Sequence, residues 1–413
     1  MRAGWQRKAI ADVCNVVNGG TPKTGVSAYW DGSHQWITPA EMGKRNSPYI
    51  AETERTITDA GMQNSSARLL PPFSVILSSR APIGHLLINT EPMATNQGCK
   101  GLVPNDALHY KYLYHYLSSI VQELNDLGSG ATFKEISGGK LKEVSIPLPP
   151  ISEQQRIVAI LDEPFAGIAT TRAAAEHNRQ SARALFESQL QAVFSQRGEG
   201  WTEKHLGEFA VFRNGINFNK SSKGDAIKIL GVRDFQNHYW APLDELELIV
   251  PDGVVPEADT LRANDLVFVR SNGNLELIGR CVLVGEVDER ITHSGFTIKA
   301  RLQTTEVLPT YLCHFLKSDT ARRAMVDGGN GANIKSLNQG TLANLIIPFP
   351  LRTEKQADIV RQIEAFHEKA QRLAAIYQRK LEALNELKQS LLHRAFNGDL
   401  TPRTMDYSLP KAA

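Results

Sequence analysis

Between residues 353 and 396, apolar side chains recur at seven-residue spacing. Ile363, Ala370, Tyr377, Leu384 and Leu391 lie on one track and Phe366, Leu373 and Leu387 on a second, with Lys380 interrupting. This spacing predicts one long helix carrying a coiled-coil seam. Residues 151–194 carry a related stripe of Leu161, Phe165, Ile168, Ala175, Ala182, Phe186, Leu190 and Val193, broken by Arg172 and Arg179. Pro164 lies inside this stripe and predicts a kink, or a restart with Asp162 as the cap. Ser152 with Gln155, and Thr353 with Gln356, fit capping boxes at the two helix starts. Neither stripe can be buried by its own helix, so the two are expected to pair. An antiparallel pairing would give a pseudo-two-fold axis with a globular domain at each end. At 1.5 Å per residue the second helix would span ~66 Å and the stretch 164–194 ~46 Å, against the ~34–36 Å between DNA half-sites one turn apart.

The remaining sequence mixes short β-rich runs (Ser74 to Leu77, Leu266 to Val269) with Gly, Pro and Asn turns and a helical stretch near 109–125. Its landmarks return about 200 residues later. Trp5 is answered by Trp201, Asn18-Gly19 by Asn214-Gly215, and Tyr112-Leu113-Tyr114-His115 by Tyr311-Leu312-Cys313-His314. Further on, Gly130-Ala131-Thr132-Phe133-Lys134 is answered by Gly331-Ala332-Asn333-Ile334-Lys335, and Ile146-Pro147-Leu148-Pro149 by Ile347-Pro348-Phe349-Pro350. The expected fold class is α+β: two α+β domains separated by two long helices that form an antiparallel coiled coil, with an internal pseudo-two-fold repeat. The expected boundaries are 1–150 for the first domain, 151–197 for a central helical spacer, 198–350 for the second domain, 351–400 for a C-terminal helical spacer and 401–413 for a tail.

Composition narrows the function classes. The 413 residues are 42% hydrophobic and 22% charged, with 46 Lys+Arg against 44 Asp+Glu. This excludes disorder as the main state, and no apolar run reaches the ~18–20 residues of a membrane span. The first residues lack an apolar signal-peptide core, so a cytoplasmic location is expected. A sequence pI of 8.2 permits nucleic-acid binding without requiring it. Cys14, Cys99, Cys281 and Cys313 are scattered, which points to neither disulfides nor a metal site. No P-loop, H-E-x-x-H, G-x-S-x-G or dinucleotide fingerprint is present, and Asn/Asp-Pro-Pro-Tyr/Phe methyltransferase signatures are missing. His115 and His314 are the only histidines repeated between halves; no recurring carboxylate is evident beside them in the sequence, so packing is expected rather than base catalysis. A duplicated enzyme should repeat its catalytic set. This chain repeats glycines, prolines and apolar positions, while residues 20–50 and 216–245, and 78–100 and 270–300, diverge.

One combination is specific: Asn18-Gly19-Gly20-Thr21-Pro22, Trp36-Ile37-Thr38-Pro39, Pro147-Leu148-Pro149-Pro150 followed by Glu153-Gln154-Gln155, and the ending Phe396-Asn397-Gly398-Asp399-Leu400. Together these motifs resemble the specificity subunit of Type I restriction–modification enzymes, over essentially the whole chain and twice over. The resemblance implies a non-catalytic, sequence-specific DNA-binding subunit with two target recognition domains. These would read a bipartite asymmetric site whose gap the helices set. It implies two modification subunits that bind S-adenosylmethionine and methylate adenine, and two ATP- and Mg-using translocase–nuclease subunits, with no cofactor in this chain.

Arg, Asn and Gln pair bidentately with guanine or adenine edges. The candidates for base or groove contact are therefore Arg80, Asn96, Gln97 and Lys100 in the first domain and Arg233, Arg270, Asn272, Asn274 and His293 in the second. The repeated glycine turns, Gly130 leading to Lys134 and Gly331 leading to Lys335, are candidates for phosphate contact, because glycine lets backbone N–H groups approach an anion and lysine adds charge. A turn that simply needs positive φ is the plain alternative. Thr21 and Lys23 are further phosphate candidates. Phe165, Ile168, Phe186, Leu190, Ile363, Phe366, Leu373, Tyr377, Leu384, Leu387 and Leu391 are the candidates for helix pairing and partner contact. The competing reading is a two-headed coiled-coil scaffold that does not touch DNA, and an unrecognised duplicated enzyme is a third.

Overall fold

In a computed structural model, residues 4–130, 134–219, 221–235, 238–327 and 336–400 are described. The chain divides into two compact units, Met1–Ala175 with Arg379–Ala413, and Glu176–Gln378. Each unit therefore holds one end of each long helix.

In the first unit the strands Cys14–Asn18, Cys99–Pro104, Val75–Ser79, Ile83–Asn89 and Tyr49–Ile50 form a sheet in that order. A second sheet runs Thr56–Ile57, Trp30–Ile37, Met93–Thr95, its last pair parallel. The central strand Val75–Ser79 is buried at every position, as its unbroken apolar and small residues require. Tyr112, Leu113 and Leu117 of the helix Tyr110–Ser119 cover the sheet from a core shared with Val75, Leu77 and Leu102.

The second unit rebuilds this plan. Ala210–Asn214, Thr297–Leu302, Leu266–Val269 and Cys281–Leu283 form one sheet in that order, and Glu247–Ile249, Ile227–Leu230, Ile291–His293 the other, again ending in a parallel pair. A two-stranded ribbon closes each unit, Gln6–Ala9 on Ser145–Leu148 and Trp201–His205 on Ile346–Pro350. The duplication inferred from scattered landmarks is thus a duplication of strand order.

One shared glycine shows why the landmarks survive. A Cβ on Gly19 would stand 1.9 Å from the Asn96 carbonyl oxygen, and one on Gly215 2.1 Å from that of His293. In both units the chain leaving the first sheet strand crosses a neighbouring backbone where no side chain fits.

The long helices run Ile151–Ser195 and Thr353–Asn397, 45 residues each. Pro164 neither interrupts nor restarts the first helix. It is exposed, and having no N–H it leaves the carbonyl of Ile160 without its helical donor. Asp162 is no cap; it accepts from Lys111 Nζ at 2.8 Å. Within the first unit Leu161 and Phe165 share a core with Leu391, Leu392 and Ala395, and Arg172 donates to Asn385 at 2.9 Å. Within the second, Leu190 and Phe194 pack with Val360 and Ile363, and Phe186 meets His367 at 4.5 Å. Rising numbers on one helix meet falling numbers on the other, so the helices are antiparallel in each unit.

The second track of the seam holds at half-buried Phe366 and differs from expectation beyond it. Leu373 and Leu387 are 39% and 49% exposed, whereas Ala374, Leu381 and Lys388 are half-buried. A shift of one residue turns the helix by about 100°. Positions three and four beyond a seam residue flank it on opposite sides, and here Leu373 and Leu387 take the outer one while Leu381 takes the inner. Lys388 lays its stem inward, its ammonium 5.6 Å from the Phe165 ring centroid.

The predicted capping boxes are not formed. Gln155 is exposed, and the backbone N–H groups of Glu153 and Gln154 donate to the Pro150 carbonyl. The neighbouring Gln154 is fully buried: its Oε1 accepts from His109 N at 2.9 Å and its Nε2 donates to the carbonyls of Ala107 and Pro149. Gln356 does the same with Leu308 N and the carbonyls of Glu306 and Pro350. One glutamine in each unit thus saturates three backbone groups where the globular part meets the long helix. Losing it would orphan groups worth about 1–3 kcal/mol each when buried unpaired.

Candidate nucleic-acid interface

In each unit three distant segments are tied to one end of the large sheet by matching backbone hydrogen bonds. In the first, Gly20 N donates to Thr95 O, Ser79 N to Gly98 O and Ile136 N to Ser79 O, at 2.8, 2.8 and 3.0 Å. In the second, Ile216 N donates to His293 O, Arg270 N to Phe296 O and Leu337 N to Arg270 O, at 2.9, 2.8 and 2.9 Å. This common frame gathers most of the candidates that lie within the described residues.

The frame of the first unit carries Arg80, Asn96, Gln97, Lys100, Thr21, Gly130 and Lys134. Asn96 Nδ2 donates to Thr21 Oγ1 at 2.8 Å and its Oδ1 accepts from Gly98 N at 2.8 Å, so both ends of this amide hold the turn. The Thr21 hydroxyl in turn donates to Gln97. Gln97, Lys23 and Lys134 are exposed. Arg80 lies across Gly98, where an added Cβ would meet its Nε at 3.0 Å, and its guanidinium is 3.7 Å from Glu135. Lys100 is a correction: only 6% exposed and 3.7 Å from the same Glu135, it is an internal counter-ion rather than a groove reader. It sits in a ladder with Asn18 on one side and Leu77 on the other, which a polar sequence window does not reveal. Gly130 has φ +130°, a conformation that requires glycine, beside the paired Ser129 and Glu135.

The frame of the second unit carries Arg270, Asn272 and Asn274. Arg270 is half-buried, its guanidinium 3.4 Å from Gly295 O. Asn272 accepts from Asn274 N at 2.8 Å, and Asn274 accepts from Glu276 N at 3.0 Å, capping a short 3-10 turn. Both asparagines therefore shape the loop with their oxygens. His293 is the second correction. It is 0% exposed on a fully buried strand, its Nδ1 lies 3.0 Å from Thr297 Oγ1, and burial pushes its imidazole down to about 3, so it is neutral and internal. Arg233 is held in ion pairs with Asp234 at 3.3 Å and Glu247 at 3.1 Å. Gly331 and Lys335 lie outside the described residues.

Other polar residues of the divergent stretch are structural. Arg301 makes a two-pronged bond to buried Asp265, at 2.7 Å on each prong, and buried Lys299 donates to the carbonyls of Ala258 and Thr260. The sequence candidates omit two exposed neighbours of the frame, Asn217 and the 60%-exposed Phe296. Alignment of the loop tips would have flagged Phe296, because it occupies the place of Gly98.

His115 and His314 are both buried, and burial pushes each down to about 4. Against expectation a carboxylate does recur beside them: Asp162 lies 3.7 Å from His115 Nε2 and Glu364 4.0 Å from His314 Nε2, each on a long helix. His115 packs edge-on to Phe165 and His314 leans on Tyr239. Both are packing residues between the domain helix and the long helix. Among the described residues no group of three or more His, Cys, Asp or Glu side chains could hold a metal ion. What the frames present is hydrogen-bonding and cationic side chains on rigid turns, which suits recognition.

Comparison with known proteins agrees with this chemistry. The profile of the Type I restriction modification DNA specificity domain matches residues 2–176. The specificity subunit of the Type I restriction enzyme MjaIX of Methanocaldococcus jannaschii is 39% identical over 38% of this chain, and this chain spans only 37% of that relative. The EcoKI specificity subunit of Escherichia coli is 27% identical over 73% of this chain and 68% of its own length. The StySPI specificity subunit of Salmonella potsdam is 24% identical over 96% and 89%. Two solved structures share the fold. One, from work on complex assembly and conformational transition of the type I R-M system, has a TM-score of 0.73 at 17% identity, covering 97% of this chain and 99% of its own. The other is the HsdS subunit of Thermoanaerobacter tengcongensis, with a TM-score of 0.51 at 16% identity, covering 97% and 98%. With the specificity-domain profile on residues 2–176 and the strand order of that unit rebuilt in the second, the chain is similar to the specificity subunits of Type I restriction enzymes.

Proposed function

We propose that the two units read the two halves of a split, asymmetric duplex site, the first through the edge bearing Arg80 and Gln97, the second through the edge bearing Arg270. The observation that carries this reading is the shared backbone frame holding different side chains in the two units. A scaffold has no need of such divergence on a fixed frame, and the DNA specificity-domain match also speaks against that alternative. Lys134, with Lys335 as its sequence counterpart, supplies sequence-independent phosphate contact, joined by Thr21, Lys23 and Gly130, with Gly331 as the sequence counterpart of Gly130. The paired long helices set the unspecified gap.

This chain performs no chemistry. Two modification subunits bring S-adenosylmethionine and methylate adenine, and two translocase–nuclease subunits bring ATP and Mg; the assembly works in the cytoplasm. The exposed Leu185, Leu373, Ile376 and Leu387 of the long helices are apolar surface for those partners. The near-balanced net charge of +2 fits a reader that gains much of its grip from the complex around the duplex.

Titrating the assembled methyltransferase complex onto duplex at rising salt tests this reading. Affinity should fall with a log–log slope of about −0.9 per phosphate contacted, and Lys134→Ala should reduce the slope by ~1 and weaken matched and unmatched duplexes alike. Salt-insensitive or absent duplex binding would leave only the scaffold.

A further inference from the structure

We infer that Phe296 is a specificity-determining residue, reading the 5-methyl group of a thymine in the half-site assigned to the second unit. The inference rests on the proposed DNA-reading role and adds a chemical class of base contact that no polar candidate supplies.

Phe296 is 60% exposed, although a phenyl ring has no polar group to gain from water. Lone exposed apolar residues are common. This one is held on a turn fixed from four sides. Its carbonyl accepts from Arg270 N at 2.8 Å and from Ser271 N at 3.4 Å, its own N–H donates to Ser294 Oγ at 3.3 Å, Thr297 N closes the turn on Ser294 O at 2.8 Å, and Gly295 N is tied to Ile216 O at 2.7 Å. Gly295 is in turn crowded by Asn217, whose Oδ1 would lie 2.1 Å from an added Cβ. The backbone is thus fixed in advance while the side chain is left in solvent, an arrangement that lowers the ordering cost of contact with a ligand.

The counterpart in the first unit sharpens the point. Gly98 receives the same hydrogen bond from the strand end, but with no side chain, and Arg80 lies over it. At one place on one frame, the first unit presents a guanidinium and the second a phenyl ring beside Arg270. Arg beside a ring at one end of the same sheet suits the major groove, where arginine takes guanine and an apolar side chain takes the thymine methyl.

The test uses the complex with its modification subunits and duplexes carrying its methylation site, each thymine replaced in turn by deoxyuridine, which differs only by the missing methyl. Loss of one buried methyl contact should weaken wild-type binding about fourfold at one thymine of one half-site. Phe296→Ala should bind the thymine and uracil duplexes equally, and Phe296→Leu should keep part of the difference. If the wild type binds specifically but tolerates every uracil, if the half-site contains no thymine, or if Phe296→Ala weakens both duplexes and leaves the fourfold difference intact, the inference is wrong. Failure of the wild-type complex to select any duplex would instead overturn the DNA-reading role itself.

Discussion

Shifting the isolated chain from pH 7 to pH 5 is expected to remove on the order of 4–6 kcal/mol of folding stability, a large part of the total for domains of this size. His115, His293 and His314 are buried, and burial pushes their imidazoles down to about 4, 3 and 4. In the unfolded chain each titrates near 6.5. Above that value all three are neutral in both states and cost nothing. As the pH falls below 6.5 the unfolded chain takes up protons that the fold refuses, and each histidine withdraws about 1.4 kcal/mol per pH unit until its folded value is reached. Asp162 beside His115 favours the charged ring and moderates the loss, but its distance of 3.7 Å leaves desolvation dominant. Urea denaturation at pH 7 and pH 5 measures the difference. Replacing His115 and His314 together with phenylalanine should flatten the acid limb. An unchanged midpoint between the two pH values, or an acid limb indifferent to the substitutions, would show that the three rings do not govern the acid sensitivity. Because both rings pack where domain helix meets long helix, acid should loosen that junction first.

Arg80→Ala should relax base preference in one half-site by about 1–3 kcal/mol, roughly 5- to 150-fold, and leave the other half-site unaffected. Arg270→Ala should do the converse. The two arginines lie on corresponding frames in separate units and each comes with its own neighbours, Glu135 for Arg80 and the Gly295 carbonyl for Arg270. Glu135 is also 3.7 Å from Lys100, so it can keep a counter-ion when Arg80 turns to a base. Selection from a pool of randomised duplexes by each variant complex gives the readout. Equal losses across both half-sites would mean that the arginines contact phosphates, the role proposed for Lys134.

What the sequence discloses and what it conceals divide along physical lines. The duplication, the two long helices and the glycine crossings are legible because they rest on local periodicity and on residues with no substitute: Gly19 and Gly215 recur because a Cβ would strike a backbone. The roles of polar side chains are harder to read. Lys100, Lys299 and Asp265 look like surface in a sequence window, yet each is buried with a partner distant in the chain, and His293 is buried against nearby Thr297 because its whole strand lies inside. A capping box is a local pattern and points to Gln155, whereas two of the three groups that Gln154 satisfies belong to the distant Ala107 and His109. The recurring carboxylates Asp162 and Glu364 are hidden for the same reason, since they meet His115 and His314 only across helices. Beyond Phe366, which is half-buried as predicted, the second track of the seam lies one residue from its heptad position, because helix geometry alone offers two choices there.

Two units built on one frame should read two different sequences, and methylation-sensitive sequencing of host DNA, with and without this gene, puts that to the test without intermediaries. Loss of the gene should erase adenine methylation at one bipartite motif, with two unlike specified halves separated by a fixed unspecified gap. A methylome that does not change with the gene, or a lost motif that is continuous or has identical halves, would refute the assignment of one half-site to each unit.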